Sequence, residues 1–386
     1  MYKIFVKFGH HKIKKIVSVL CLSIQFLFYL LQLYYIIIKF DKDLLIRYSC
    51  TMISTLYVFY AVTFDTTYKN QNRLDQFQNF AWSLDSAGAE VKSTILEKTT
   101  KTNGICYLMM VFLGLAVVIN FPVLGDQSEL FLCIRVFEYF FGKWSQILSQ
   151  IYFVTLFVLW YGSLQLSFIM LYVIQQLQVQ IILLNQRIFQ IRNNFSCLND
   201  WDKTYSVQYQ KDIKESLQLA IKQHCAIIRY VKNLCKDLQI AMPLLIFLGG
   251  LSTLSIYFFI MNVRPDTCIN SCLCIFFFQN FLANSDIVKI RVLFILMTNI
   301  SVSVMFAEIG QGLVDETDKI FDAFASCPWY NWNLKNRKTL LICMASSTNP
   351  LSFGFAGITI GYNFAVSMAR FSFSYALTLF QLNNAK

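Results

Sequence analysis

Long apolar stretches alternate along the chain with segments rich in charged and amide side chains. Seven stretches are long enough, at about 1.5 Å per residue, to cross a hydrocarbon core of about 30 Å as helices. They cover approximately residues 16–38, 45–64, 105–125, 147–174, 239–262, 290–312 and 351–380. The pattern predicts an all-α membrane protein in which residues 1–386 form one seven-helix domain.

The last predicted span carries a narrow polar stripe. At 100° per residue, its polar side chains recur in steps of three or four and share one helical face. They are Thr359, Asn363, Ser367, Arg370, Ser374, Thr378 and Gln381. A charged side chain inside a membrane usually faces protein interior or a water-filled path. The stripe therefore indicates either a pore lining or hydrogen bonding between helices.

Two polar segments, about 175–238 and 313–350, keep apolar residues at helical spacing. Such regular stripes predict helices that extend from the membrane spans into the cytoplasm and pack together as an assembly region. In the second segment, the apolar side chains expected to face partner subunits are Ile320, Phe321, Phe324, Trp329 and Leu341.

Composition supports the membrane assignment, because 56% of the residues are hydrophobic and only 14% are charged. An excess of 33 Lys and Arg over 22 Asp and Glu would suggest nucleic-acid binding in a soluble protein. Here 23 of the 33 basic residues fall in segments 1–15, 65–104, 175–238 and 313–350. The positive-inside tendency therefore predicts a cytoplasmic N-terminus, an external C-terminus and no nucleic-acid partner.

Three further features bear on the topology. Lys3 and Lys7 precede a first apolar run that is too long for a cleaved signal, which predicts an uncleaved span. The segment from Cys268 to Ala283 has 16 residues and is either an outer cap or an additional membrane segment. The cluster of Cys268, Cys272 and Cys274 either pairs with Cys133 on the outer face or consists of small apolar residues.

No motif typical of an enzyme, a cofactor site or a metal site is present in the sequence. His10, His11 and His224 are too scattered to bind a metal, and no Gly-rich phosphate loop or Ser/His/Asp grouping is found. Glu308 is the only carboxylate in a predicted span, which disfavours a proton relay or a coupled transporter.

The C-terminal residues resemble the insect odorant receptors of the odorant and gustatory receptor superfamily. Ser374 and Tyr375, five apolar or near-apolar residues, then Gln381 and Leu382 look like the superfamily's Thr-Tyr, five hydrophobics, Gln-Phe ending. Arg370 to Tyr375 is similar to the Lys-x-Ser-Tyr-Ser-Tyr run of odorant receptors, with Arg for Lys and Phe for the first Tyr. The block that leads into the last helix is also similar, through Phe321, Ala323, Phe324, Pro328, Trp329, Tyr330, Lys335, Arg337, Lys338, Leu341, Pro350, Leu351 and Phe353.

This resemblance implies the odour-specific subunit of a ligand-gated, non-selective cation channel in the plasma membrane of olfactory neuron dendrites. Its expected partners are the odorant receptor co-receptor (Orco) in a heterotetramer, membrane lipid and a small volatile odorant. The last helix would line the pore through Asn363, Ser367, Arg370, Ser374, Thr378 and Gln381, with the constriction at Thr378.

The resemblance also places an odorant pocket in the outer half of the membrane domain. The residues that it implies are Tyr57, Tyr60, Met110, Gly114, Val117, Phe121, Phe153, Phe157, Tyr161, Phe294 and Thr298. Aromatic rings with a few hydroxyl groups suit a small, mostly apolar molecule. Each of these residues has ordinary helix packing as its alternative role.

Two other receptor classes are alternatives. A gustatory receptor channel shares the terminal motif, although the block from Trp329 to Phe353 favours an odorant receptor. A G-protein-coupled receptor is suggested by Asn349, Pro350 and Phe353, which echo its Asn-Pro-x-x-Tyr element. That class requires the opposite orientation of the last helix, so the charge distribution disfavours it.

Overall fold

The computed structural model of the 386-residue chain describes residues 12–67, 76–86, 88–121, 128–193, 205–262, 286–355 and 357–384. Within these ranges lie ten α-helices: α1 (Lys12–Ile38), α2 (Lys42–Thr67), α3 (Ala89–Asn120), α4 (Leu132–Phe141), α5 (Ser145–Asn193), α6 (Val207–Asp237), α7 (Ala241–Asn262), α8 (Asp286–Ala325), α9 (Leu334–Ser346) and α10 (Tyr362–Asn384). Two short strands, β1 (Gly354–Phe355) and β2 (Ile358–Thr359), pair antiparallel. Lys3, Lys7 and the segment Cys268–Ala283 with its three cysteines lie outside the described residues.

The chain is an α-helical membrane protein. Among the described residues, four stretches are long and apolar enough to cross a membrane, namely 13–38, 89–120, 132–191 and 290–325. The number rises to five if 207–237 and 241–257, which meet at 59°, are taken as one broken span. Helices α2 and α10 lie at two further predicted spans. The count of seven spans and the orientation in the membrane stay predictions.

The two ends of the helix bundle differ in construction. At one end, α4 lies against α1 and α5, and the ring centroids of Phe28 and Phe137 are 4.9 Å apart. At the other end, α5, α6, α8 and α9 enclose an apolar core in which Leu177, Ile213 and Leu313 are completely buried. We call these the α4 end and the anchor end. In the predicted topology the anchor end is cytoplasmic.

Polar contacts join neighbouring helices inside the bundle. The Gln25 amide of α1 donates to the Tyr152 carbonyl of α5 at 2.6 Å and to the Thr155 hydroxyl at 2.7 Å. The hydroxyls of Ser54 on α2 and Ser252 on α7 are 2.7 Å apart. Lipid provides no hydrophobic drive for apolar helices to associate, so such hydrogen bonds help to set the helix neighbours.

Helices α5 and α8 run without interruption from predicted spans into the anchor end, as their amphipathic continuation indicated. The expectation that Ile320 and Phe324 face partner subunits is wrong, because both are buried in the chain's own core at the anchor end. Phe321 is half-buried. Trp329 and Leu341 are exposed by 49% and 68% and remain available to a partner.

The prediction that the last helix begins near Leu351 is also wrong, since α10 begins at Tyr362. Residues 351–355 and 357–361 instead form the short β1–β2 hairpin and its flanks, and Gly357 adopts a φ of 82° in the turn. Pro350 and the glycines at 354, 357 and 361 disfavour helix here. Thr359 therefore lies in a strand and does not belong to the helical polar stripe.

Candidate functional site

Helix α10 packs on α7 and α8 through one face only. Ser372 is 2% exposed on that face, and the rings of Phe373 and Tyr257 lie 6.4 Å apart beside it. At 100° per residue, Ser374 points roughly 160° away from Ser372. The predicted pore-lining residues, all exposed on this opposite side of the helix, are Asn363, Ser367, Arg370, Ser374, Thr378 and Gln381. The polar stripe thus faces away from the rest of its own chain.

The polar stripe contains a charged side chain, which is unusual for a lipid-facing surface. Val366 and Phe371 flank it and are 48% and 56% exposed. Arg370 forms no ion pair with any residue that the structure describes. An unpaired guanidinium at the centre of a bilayer costs at least about 2.5–3.5 kcal/mol. The exposed face therefore suits water or the polar side chains of a neighbouring subunit better than lipid.

The first residue of α10 is joined to α8 by a side-chain hydrogen bond. The Tyr362 hydroxyl donates to the Glu308 carboxylate, and both residues are exposed on the single chain. One turn further along α8, the Gln311 amide donates to the Asp315 carboxylate at 2.9 Å. The sequence shows Glu308 as the only carboxylate in a predicted span, but it could not predict the partner Tyr362 because the two residues are 54 positions apart.

Three of the predicted ligand-binding residues come together at the α4 end. Phe121 stacks on Phe157 with ring centroids 5.9 Å apart, and Phe157 lies 6.2 Å from Phe153. Phe153 is completely buried and also contacts Phe131 edge-to-face at 5.0 Å. Phe131, Phe153 and Phe157 also join Val292 and Leu296 of α8 in one apolar cluster. The cluster, formed by Phe121, Phe131, Phe153 and Phe157, is called the aromatic cluster below.

The remaining predicted ligand-binding residues lie elsewhere. Tyr57, Tyr60, Met110 and Tyr161 are partly buried against the large core that continues into the anchor end. Gly114 is exposed and Val117 is half-buried. The ring centroids of Phe294 and Phe112 are 6.4 Å apart. The Thr298 hydroxyl donates to the Phe294 carbonyl at 2.7 Å. Tyr161 lies at the depth of Lys14, whose Nζ is 5.8 Å from its ring centroid. Three of the eleven predicted residues thus form one cluster, and four others pack against a different core.

A buried guanidinium that the sequence did not predict lies close to the aromatic cluster. Arg291 of α8 has no exposed surface, and its Nε donates to the Ile119 carbonyl at 3.2 Å, two residues before Phe121. Asn120 is buried there as well, and its amide donates to the Ala116 carbonyl at 2.8 Å. Arg291 stands at the beginning of the predicted span 290–312, where its position in the sequence favours a residue that flanks the membrane. Its burial brings a strong hydrogen-bond donor to the α4 end.

A groove of about 300 Å³ opens at the anchor end, remote from all the predicted ligand-binding residues; its lining is Val91, Ile182, Asn185, Gln186, Phe189, Glu316, Lys319 and Ala323. Burial would raise the pKa of the Glu316 carboxyl. Hydrogen bonds from Lys98 at 2.5 Å and Lys319 at 2.9 Å outweigh burial and hold that pKa below its ordinary value. The charged carboxylate joins α3 to α8. The charged residues that line this groove therefore have a structural role.

Comparison with known proteins identifies the fold. Neither a protein-family model nor a curated protein sequence matches the chain. The insect olfactory receptor OR5 from Machilis hrabei in complex with eugenol is similar in structure, with a TM-score of 0.68, 11% identity, and coverage of 94% of this chain and 88% of that chain. A second structure of OR5 gives a TM-score of 0.66 at 12% identity, covering 97% and 90%.

These likenesses give the chain an all-α membrane-protein fold. More particularly, the chain has the insect olfactory receptor fold. At this low identity the likeness establishes the fold alone, so the function must be argued from the geometry of this chain. Within the described residues, no group of three or more His, Cys, Asp or Glu side chains is placed to bind a metal ion.

Proposed function

We propose that this chain is the odorant-binding subunit of a ligand-gated, non-selective cation channel. It forms one seven-span domain and assembles in a heterotetramer with the odorant receptor co-receptor. The channel would lie in the dendritic plasma membrane of an olfactory sensory neuron. It would open when a small volatile molecule binds and thereby depolarise the neuron. The fold shared with an insect olfactory receptor supports this class of function.

The observation that carries the proposal is the exposed polar face of α10. A helix made largely of apolar residues directs Asn363, Ser367, Arg370 and Ser374 away from its own chain. In a monomer this face would meet hydrocarbon, which is costly for Arg370 above all. When several subunits surround a common axis, the same faces meet water and line a path for ions. Thr378 lies further along this face and is the proposed constriction.

The aromatic cluster supports the choice of ligand class. Its rings offer large dispersion contacts, and paired aromatic rings contribute about 0.5–1.5 kcal/mol each beyond area burial. Arg291 and Asn120 lie beside it and can orient a ligand that carries a hydroxyl or carbonyl oxygen. OR5 of the similar structure is in complex with eugenol. A volatile, mostly apolar compound with one or two oxygen atoms is therefore the proposed ligand.

The test compares two serines on opposite faces of α10. The full-length chain is co-expressed with the co-receptor, and currents are recorded during a panel of volatile compounds that includes eugenol. Ser374→Cys should react with a hydrophilic thiol reagent and lose more than about half of the current, because a bulky adduct narrows the path. Ser372 is buried on the packed face, so the current of Ser372→Cys should not change when the reagent is added.

Two results would count against the proposal. Equal effects at positions 372 and 374 would show that the polar face has no special access to water. A chain that reaches the cell surface but produces no current with any compound of the panel would remove the assignment as a channel subunit.

A further inference from the structure

The exposed face of α10 carries an electrostatic problem for cations. Arg370 is its only charged side chain, and rings of arginine in pores favour anions, whereas rings of aspartate or glutamate favour cations. The amino end of a helix also carries a partial positive charge of about half a unit, which here lies at Tyr362. Taken alone, α10 would thus repel the cations that the proposed channel conducts.

Glu308 is placed to reverse this potential. Its carboxylate accepts the hydrogen bond from the Tyr362 hydroxyl, so a negative charge is held against the first residue of α10. Tyr362 is 48% exposed, Glu308 is exposed, and Asn363 begins the polar face at the next position. No lysine or arginine among the described residues forms an ion pair with Glu308. The carboxylate is therefore not neutralised within the described part of its chain.

The geometry separates the two charges along the same face. Arg370 follows Tyr362 by eight residues, which corresponds to about 12 Å of helix. This distance is longer than the screening length of about 8 Å at physiological ionic strength, so each charge dominates its own neighbourhood. Glu308 therefore controls the potential at the anchor end of the polar face.

Resting on the proposed function, we infer that Glu308 is an ion-selectivity residue of the channel. It concentrates small inorganic cations at the anchor end of the α10 face and admits them to the path in spite of Arg370. The hydrogen bond from the Tyr362 hydroxyl shows that the carboxylate lies at the beginning of this face. The hydrogen bond also joins α8 to α10, but the inferred effect on ions comes from the charge.

The experiment measures the potential at the face directly and needs neither an odorant nor a current. Asn363→Cys is introduced in the full-length chain, which is purified in detergent as the oligomer that it forms. Modification of residue 363 by a cationic and by an anionic methanethiosulfonate reagent is followed by peptide mass spectrometry. The parent chain without the added cysteine serves as the blank. The measured quantity is the ratio of the two rate constants.

The variants separate charge from hydrogen bonding. Glu308→Gln removes the charge but keeps an oxygen that accepts from Tyr362, and it should lower the cationic-to-anionic ratio at least about threefold. Tyr362→Phe removes the donor and keeps the carboxylate, so the ratio should stay within about twofold of the parent. Asp318→Asn neutralises another exposed carboxylate of α8 and should leave the ratio unchanged.

The outcomes are distinguishable. An unchanged ratio in Glu308→Gln, with residue 363 still reactive, would overturn the inference and leave the proposed function intact. A change in Tyr362→Phe without one in Glu308→Gln would make the contact a structural link and also overturn the inference. If residue 363 resisted both reagents in every variant, the polar face would not be in water, and the proposed function itself would fail.

Discussion

At the scale of single residues, Gly310 determines how α10 is attached to α8. A Cβ atom at this position would lie 2.5 Å from the Ile360 carbonyl oxygen and 3.0 Å from Ile360 Cγ2. Ile360 is held in turn by its amide, which donates to the Phe353 carbonyl at 2.9 Å. The absence of a side chain at residue 310 thus lets the hairpin lie directly on α8. This contact sets where α10 begins and places Tyr362 next to Glu308.

Gly310→Ala should therefore destabilise the protein by about 1–3 kcal/mol, the usual cost of forcing extra atoms into a packed interior. Thermal unfolding of the detergent-purified chain measures the change. Gly104→Ala is the control, because a Cβ there meets nothing within 4 Å and the alanine improves helix propensity in α3. Should Gly310→Ala unfold at the same temperature as Gly104→Ala, the contact with Ile360 would not constrain the hairpin.

At the scale of secondary-structure elements, Gln210 joins α6 to the segment that leads into α9. Its side-chain amide donates to the Asn331 carbonyl at 2.9 Å, and its side-chain oxygen accepts from the Asn333 amide at 2.8 Å. The Asn336 side chain donates to the Gln210 carbonyl at 2.9 Å. All four residues except Asn333 are buried, so these hydrogen bonds replace contacts with water. They orient α9 relative to α6.

Gln210→Leu would leave the Asn331 carbonyl and the Asn333 amide without this partner. Each of these hydrogen bonds contributes about 0.5–1.5 kcal/mol, so we expect α9 to detach before the rest of the chain unfolds. Limited proteolysis with identification of the cleaved bonds would detect early cutting around residues 326–350. Gln208→Leu is the same exchange at an exposed position of α6 and should be neutral. Identical digestion of the two variants would contradict this role for Gln210.

At the scale of the whole molecule, the anchor end presents apolar side chains that its own chain does not cover. Leu341 and Ile342 are 68% and 70% exposed on α9, and Trp329 is 49% exposed nearby. Exposed apolar groups of this size outside the membrane spans mark protein contacts more often than they mark free surface. We therefore expect subunits to contact one another at the anchor end.

Leu341→Glu should reduce the oligomer recovered with the co-receptor severalfold, because a carboxylate would be buried at the contact without a partner. Co-purification followed by size-exclusion chromatography measures the remaining complex. Ser346→Glu adds the same charge at an exposed polar position of α9 and should assemble normally. Full recovery of the complex with Leu341→Glu would show that this surface lies outside the subunit contact.

Much of the architecture was determined by the sequence itself. Apolar length and helical periodicity are local properties, so they predicted the all-α membrane class and the continuation of α5 and α8 beyond their spans. The polar face of α10 was also predictable from residue 363 onward, because the spacing of its side chains is a property of one helix. Phe121, Phe153 and Phe157 were predicted together and lie together.

Only the tertiary structure decided which of several equivalent apolar or charged residues are buried. Phe324 and Leu341 are both apolar and helical, yet one is completely buried and the other is 68% exposed, because neighbours distant in sequence cover only the first. Arg291 is buried for the same reason. The pairing of Glu308 with Tyr362 depends on a hairpin that docks against Gly310. Such contacts join residues far apart in the chain, and periodicity within one helix contains no information about them.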